Sequence, residues 1–400
     1  MFVAGNSLDE QAKGLDGHIA AAQDAGIVAT LAGLQVDVDP SQDALPHLER
    51  AYELWQELPP EKRRALVGLS RRVLYGEVSD GVDANFLNDF AAFRDIQPPL
   101  QVAASMPACS VKTLETWNNK EVAAFGSFVR DAARILAGRA ALLGERDGIL
   151  ASEALLAQSA QLVQHLAAQH SYSPVMRRSG AELEYQRAIV RVAQANSREP
   201  GLPSFLRSQQ ELLGQMPSAR IALRGELALT LERLEDRAKT GLLNMPAAEF
   251  LTDVGKSGVS EAWAKYFKQL PDDVEDINGA DRILGKMDEE AESTPFYGKY
   301  MDNYNRIIPV FRDLLARRRM FAVASALLED RLLGKPLRNP GSLGSTGMDP
   351  HSEKPLRVKP LPNGGFVVYS VGRDMEDDGG KTRDPDRDQN GSYDVVLQLP

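Results

Sequence analysis

The hydrophobic period of this chain changes once, near Gly334, and that change limits the folds open to it. Before Gly334, apolar residues recur at three- and four-residue steps, the period of helices with one buried face. Val122, Phe125, Val129, Ala132, Leu136, Ala140 and Leu143 form one stripe, ended by a predicted turn at Gly144–Gly148. Leu155, Leu156, Ser159, Leu162, Val163 and Leu166 form a second, Ile189, Val192 and Ala193 belong to a third, and Leu223, Leu227, Leu231 and Leu234 to a fourth. Further helices are predicted over 84–97, 246–270 and 309–333, and Pro59-Pro60-Glu61 suits a helix start. Pro98-Pro99 and Pro107 predict an extended connection. The Tyr297, Tyr300 and Tyr304 stripe reads as core.

After Gly334 the pattern becomes β-like. Phe366–Ser370 and Tyr393–Leu399 are short apolar runs bounded by turn residues, and Leu356-Arg357-Val358 alternates as a third strand would. Asn363-Gly364-Gly365 is a hairpin signal. The Gly/Ser-rich stretch Gly341–Gly347 reads as a flexible connector. No fixed repeat period emerges from the helical part. The predicted fold is mostly α: an irregular helical bundle or α-solenoid-like body with a small C-terminal antiparallel β module. Three segments follow, an N-terminal helical one over 1–100, a helical hairpin body over 101–333 and the β module over 334–400.

Charge is unevenly spread. Lys plus Arg is 46 and Asp plus Glu is 56, a net charge of -10. Such a balance argues against sequence-independent nucleic-acid binding, which depends on cations neutralising phosphates. Nine acids face two bases over 272–292, and eight face four from 371 onwards, so the rest of the chain is nearly neutral. The acids near 272 and 288 suit helix N-terminal dipoles. Arg317-Arg318-Arg319 reads as a solvated helix face.

The segment from Arg373 to Asp394 carries the strongest chemical signal. Hard cations such as calcium take six to eight oxygen ligands, mainly carboxylates and carbonyls. Asp386-x-Asp388-x-Asn390-Gly391 has the spacing and glycine of a calcium loop, and Asp394 falls at its ninth position. The twelfth position is Leu397 rather than a bidentate Glu, and the flanks read as strands, so the pattern is not an EF-hand. Many carboxylates in one short loop repel each other unless water, salt or a cation offsets them. A solvated acidic turn is the other reading. The candidate ligands are Asp374, Asp377, Asp378, Asp384, Asp386, Asp388, Asn390 and Asp394.

Asp349-Pro350, then Asn363–Asp374 with its Tyr369-Ser370-Val371-Gly372-Arg373-Asp374 turn, then Asp377-Asp378-Gly379-Gly380, resemble the C-terminal end of type II secretion major pseudopilins. The same stretch resembles still more the tails of uncharacterised bacterial, planctomycete-type helical proteins, which the body is similar to more loosely. The resemblance implies calcium bound between the last strands, with Ser370 and Asp374 near the turn and further ligands among Asp377, Asp378, Asp386 and Asp388. It spans roughly residues 349–394. The prepilin peptidase site and single long apolar helix that open a pseudopilin have no counterpart here.

No window approaches the ~20 apolar residues of a membrane span, and Met1–Ser7 has no basic n-region. That pattern suits a cytoplasmic protein, while Phe2–Gly5 also suits the trailing edge of a membrane anchor. One cysteine, Cys109, excludes an intramolecular disulfide and thiolate zinc sites. Cys109 follows Pro107 in a predicted loop with no His nearby in sequence, and His165 and His170 fall on different helix faces. No catalytic residues are assigned. The leading expectation is a non-enzymatic periplasmic or cell-envelope scaffold with structural calcium, a protein partner and an anchor preceding this chain. The rivals are a hydrolytic enzyme with a cleft between body and β module, and a cytoplasmic helical-repeat adaptor.

Overall fold

The computed structural model describes residues 14–34, 37–76, 90–110, 119–166, 172–240, 246–293, 304–362, 364–381 and 394–399. Among them are thirteen α-helices and one three-stranded antiparallel sheet, a mostly helical body with a small β module at its C-terminal end. The helices are α1 (Leu15–Asp24), α2 (Leu45–Glu57), α3 (Pro60–Leu74), α4 (Gln97–Ser105), α5 (Asn119–Asp147), α6 (Ile149–His165) and α7 (Tyr172–Ala195). After them come α8 (Leu202–Leu212), α9 (Ala219–Ala222), α10 (Glu226–Thr240), α11 (Pro246–Phe267), α12 (Ile277–Ser293) and α13 (Ile307–Leu332). The strands are β1 (Arg357–Pro360), β2 (Phe366–Ser370) and β3 (Val395–Leu399), in that order across the sheet.

Helix starts follow the prolines. α2, α3 and α4 each carry proline in the first turn, where the missing N–H has no intrahelical acceptor to lose. This corrects the reading of Pro98-Pro99, which open α4 rather than extend a linker. Asp43 fastens the start of α2: its Oδ1 accepts the Leu45 amide at 3.0 Å and the Ser110 amide at 2.8 Å. α5 also outruns its predicted end, continuing to Asp147 before Gly148 turns the chain into α6. α5 lies against α3, α6 and α7 through small residues. A Cβ on Gly144 would stand 2.6 Å from Val192 of α7, so only glycine permits that approach.

Two apolar cores result. The larger joins α2 to α8, the C-terminal half of α13 and the sheet, with Trp55, Phe93, Phe128, Leu156 and Phe366 buried in it. The smaller joins α1, α9 to α12 and the N-terminal half of α13 around Trp263, Phe267, Leu284, Tyr304 and Phe311. α13 runs through both: Phe311, Leu314 and Leu315 serve the smaller, and Met320, Phe321, Val323 and Ala324 the larger. A helix packed on so many sides leaves only a partly exposed face at its middle. Arg318 accordingly holds buried Glu182 through two bonds of 2.6 and 2.9 Å, and Arg319 donates to the Met348 carbonyl at 2.8 Å. The expected solvated arginine face is therefore an internal charge layer. Tyr304 is core, as its stripe suggests; Tyr297 and Tyr300 lie outside the described residues.

The β module is docked on this body. β2 is the central strand, with Phe366 opposite Pro360 on one side and Leu399 on the other. All five of its residues are buried, because one face meets α13 and the other is covered within the module. Leu361 and Gly365 close the β1–β2 hairpin by a 2.8 Å backbone bond; Asn363 lies outside the described residues. Gly341–Gly347, read as a flexible connector, belongs to 3-10 turns over Pro340–Gly347 capped by the Asn339 side chain on the Gly341 amide. It packs so closely that a Cβ on Gly347 would overlap the Pro340 carbonyl. Among the described residues, no helix is long and apolar enough to cross a membrane.

Candidate metal centre in the C-terminal module

The end of β2 is fixed by a buried carboxylate that lies ahead of β1 in the chain. Asp349 has no solvent exposure, and its Oδ1 accepts the Ser370 hydroxyl at 2.7 Å and the His351 amide at 3.0 Å. Its Oδ2 accepts the Val371 amide at 3.1 Å and the Ser352 hydroxyl at 3.0 Å. Ser370 in turn accepts the Gly372 amide at 3.2 Å. The Ser370 hydroxyl thus serves to clamp the end of β2 onto the Asp349 turn. Asp349 is the residue whose part in this site sequence reasoning missed.

Beyond the clamp the chain winds through Asp374–Gly380. Exposed Asp374 folds back so that its Oδ1 accepts the Glu376 amide at 3.1 Å. Asp377 accepts the Gly379 amide at 3.0 Å and Arg357 Nε at 2.6 Å. Desolvation opposes its ionisation, but the Gly379 amide and Arg357 outweigh it and hold its carboxyl below the usual range. Gly379 and Gly380 both take left-handed backbone angles, φ 71° and 78°. That double turn aims the Gly380 amide at Asp394, whose Oδ2 accepts it at 2.7 Å.

Asp394, immediately before β3, is the distinctive member. It is only 5% exposed, and its Oδ1 has no hydrogen-bond partner among the described residues. Burial pushes its pKa up, the charges of Asp377 and Asp378 push it further, and the Gly380 and Asp378 amides act against the rise. A buried carboxylate oxygen with nothing to bind is costly unless protonated or met by a cation. The structure therefore brings Asp377, Asp378 and Asp394 together, places Asp374 at the outer turn, and commits Ser370 elsewhere. Asp384, Asp386, Asp388 and Asn390 lie outside the described residues. Among the described residues alone, no group of three or more acidic, His or Cys side chains is arranged to hold a metal ion. The donor set still fits a hard cation, because the bare oxygen is an anionic carboxylate beside further carboxylates.

The module is held to the body by a second charged contact. Arg373 donates to Asp313 of α13 at 2.6 Å, and His351 Nε2 stands 3.2 Å from the other Asp313 oxygen, off the line of a good hydrogen bond. Burial works against the Asp313 charge, yet His351 and Arg373 outweigh it, so its pKa lies below the ordinary carboxylate value.

Elsewhere the fold brings Cys109 and His165 to one small cavity of about 30 Å³, lined also by Phe125, Pro174 and Arg177. Sequence had given Cys109 no His neighbour. Burial, then the Asp43 and Glu49 carboxylates, push the thiol up to about 12, so it stays protonated at neutral pH and is a poor nucleophile. His165 Nε2 is taken by the Ala103 carbonyl at 2.9 Å. Neither a protein-family model, a curated protein nor a solved structure matches the chain.

Proposed function

We propose that this chain is a non-enzymatic, extracytoplasmic scaffold or binding protein whose C-terminal module is closed by structural calcium. The bare, buried Oδ1 of Asp394 beside Asp377 and Asp378 carries the reading. Asp394 and Asp378 would hold the ion from the described side, and Asp384, Asp386, Asp388 and Asn390 supply oxygen donors of the right type from the neighbouring segment. Calcium would offset the carboxylate repulsion and join the start of β3 to the Gly379-Gly380 turn. Loop-built sites of modest affinity suit compartments with millimolar calcium, which supports the cell-envelope assignment. The likeness of the tail to pseudopilins supports it too.

Thermal unfolding of the full chain in calcium and in chelator tests the proposal. Calcium at a hundredfold excess over its dissociation constant is expected to stabilise by about 2.7 kcal/mol. Asp394→Asn keeps an acceptor for the Gly380 amide and is expected to fold, yet to lose the calcium response. No response of the unaltered chain at millimolar calcium, or an undiminished response in Asp394→Asn, would overturn the site.

A further inference from the structure

The acidic turn ahead of Asp394 has a cation of its own. Consecutive amides of the Gly379-Gly380 turn tie two carboxylates side by side: Gly379 donates to Asp377 at 3.0 Å and Gly380 to Asp394 at 2.7 Å. Gly380 also lies against the sheet, where an added Cβ would stand 3.3 Å from the Tyr369 ring. Arg357 of β1 is opposite Tyr369 of β2 in the register, so the two side chains leave the sheet on the same face. Both reach Asp377: Arg357 Nε donates to its Oδ2 at 2.6 Å, and the Tyr369 hydroxyl bonds it as well. Nη1 of Arg357 is buried without an acceptor among the described residues, 3.9 Å from Asp349. Asp377 thus has both oxygens engaged, whereas Asp394 keeps one bare.

The bare oxygen, on a side chain 5% exposed, is what marks a ligand here; acidity alone would not. We infer, on the strength of the calcium site proposed above, that Arg357 sets the calcium affinity of that site by holding Asp377 out of the ion's ligand set. Calcium affinity follows the number of charged ligands and the rigidity of the site. Arg357 withholds one such ligand and places a positive charge beside the ion, and both effects weaken binding. Of the three described carboxylates it offsets one, leaving the charges of Asp378 and Asp394 to match one divalent ion. Such a site fills only where calcium is plentiful. In calcium-free conditions Arg357 and the two glycine amides still fasten the turn.

Isothermal titration of the full chain with calcium chloride, at constant ionic strength, tests this. Arg357→Gln is expected to tighten calcium by roughly tenfold or more. Arg357→Met, which keeps the aliphatic stem, serves if Arg357→Gln does not fold, and the same gain is expected. Adding Asp377→Asn to either variant should abolish the gain, because the released carboxylate is its source. Exposed Lys359→Gln removes the same charge from the same strand without freeing a carboxylate, and is expected to change affinity by less than about twofold, since screening blunts distant charges. Calcium binding by the unaltered chain with unchanged or weaker affinity in the Arg357 variants overturns the role of Arg357 and leaves the calcium site standing. A gain that survives Asp377→Asn, or that Lys359→Gln matches, overturns it too. Absence of calcium binding by both the unaltered chain and the Arg357 variants overturns the site and this role together.

Discussion

Four donors converge on the Asp349 carboxylate, and two of them come from the end of β2 at Ser370 and Val371. Asp349→Ala would leave those donors buried without an acceptor, at about 1–3 kcal/mol for each that water cannot reach. We expect a loss of roughly 3 kcal/mol or more, read by chemical denaturation. Ser370→Ala removes one bond and relieves one donor, so its loss should be smaller, about 1 kcal/mol. The acidic residues of the tail were legible in sequence as candidate cation ligands. The division of labour among them was not: Ser370 and Asp349 meet across 21 positions, and no local spacing encodes that pair.

At the scale of elements, the helical stripes and the switch to alternating strands were readable because each element buries one face at its own period. α13 breaks that rule, since both cores and the sheet surround it. Its arginine triplet therefore looked solvated in sequence and is internal in fact. Arg318→Ala would strand the Glu182 carboxylate, whose side chain is 1% exposed. Removing one partner of a buried pair costs about 3–5 kcal/mol, and that is the loss expected by denaturant titration. Arg318→Met combined with Glu182→Leu should recover much of it, because apolar groups of similar size leave no buried charge. Arg317→Gln should cost little, because the repulsion from Arg187 that it removes outweighs the attraction of Asp313.

For the molecule as a whole, pH should act on the β module in two opposed steps. The pKa of Asp394 is raised above its unfolded value. Its contribution is therefore full below the ordinary Asp value of ~4 and is lost as pH rises through the raised value. Calcium should restore what is lost, so the calcium-dependent gain in melting temperature is expected to grow with pH from ~4 upward and to vanish in stronger acid. Asp313 runs the other way. Its pKa is depressed in the fold, so the latch to Arg373 and His351 is complete above the unfolded value and weakens as pH falls through the folded one. Asp330, held by Arg338 at 2.6 Å, follows the same sign. Melting curves from pH 3 to 7, with and without calcium, separate the two groups; a calcium effect independent of pH would count against Asp394.

Sequence by itself determined the mostly helical body, the three C-terminal strands and the concentration of acid between the last two. These are local matters, written in hydrophobic period, proline placement and charge density. Tertiary structure alone decided that α13 threads two cores, that its arginines face inward, that Cys109 and His165 share a cavity, and that Asp394 keeps a bare oxygen in the interior. Each of those depends on which distant residue supplies, or fails to supply, a partner for a buried charge. That partner is chosen by packing across the whole chain, because burial raises the cost of every unpaired polar atom wherever in the sequence its neighbours lie.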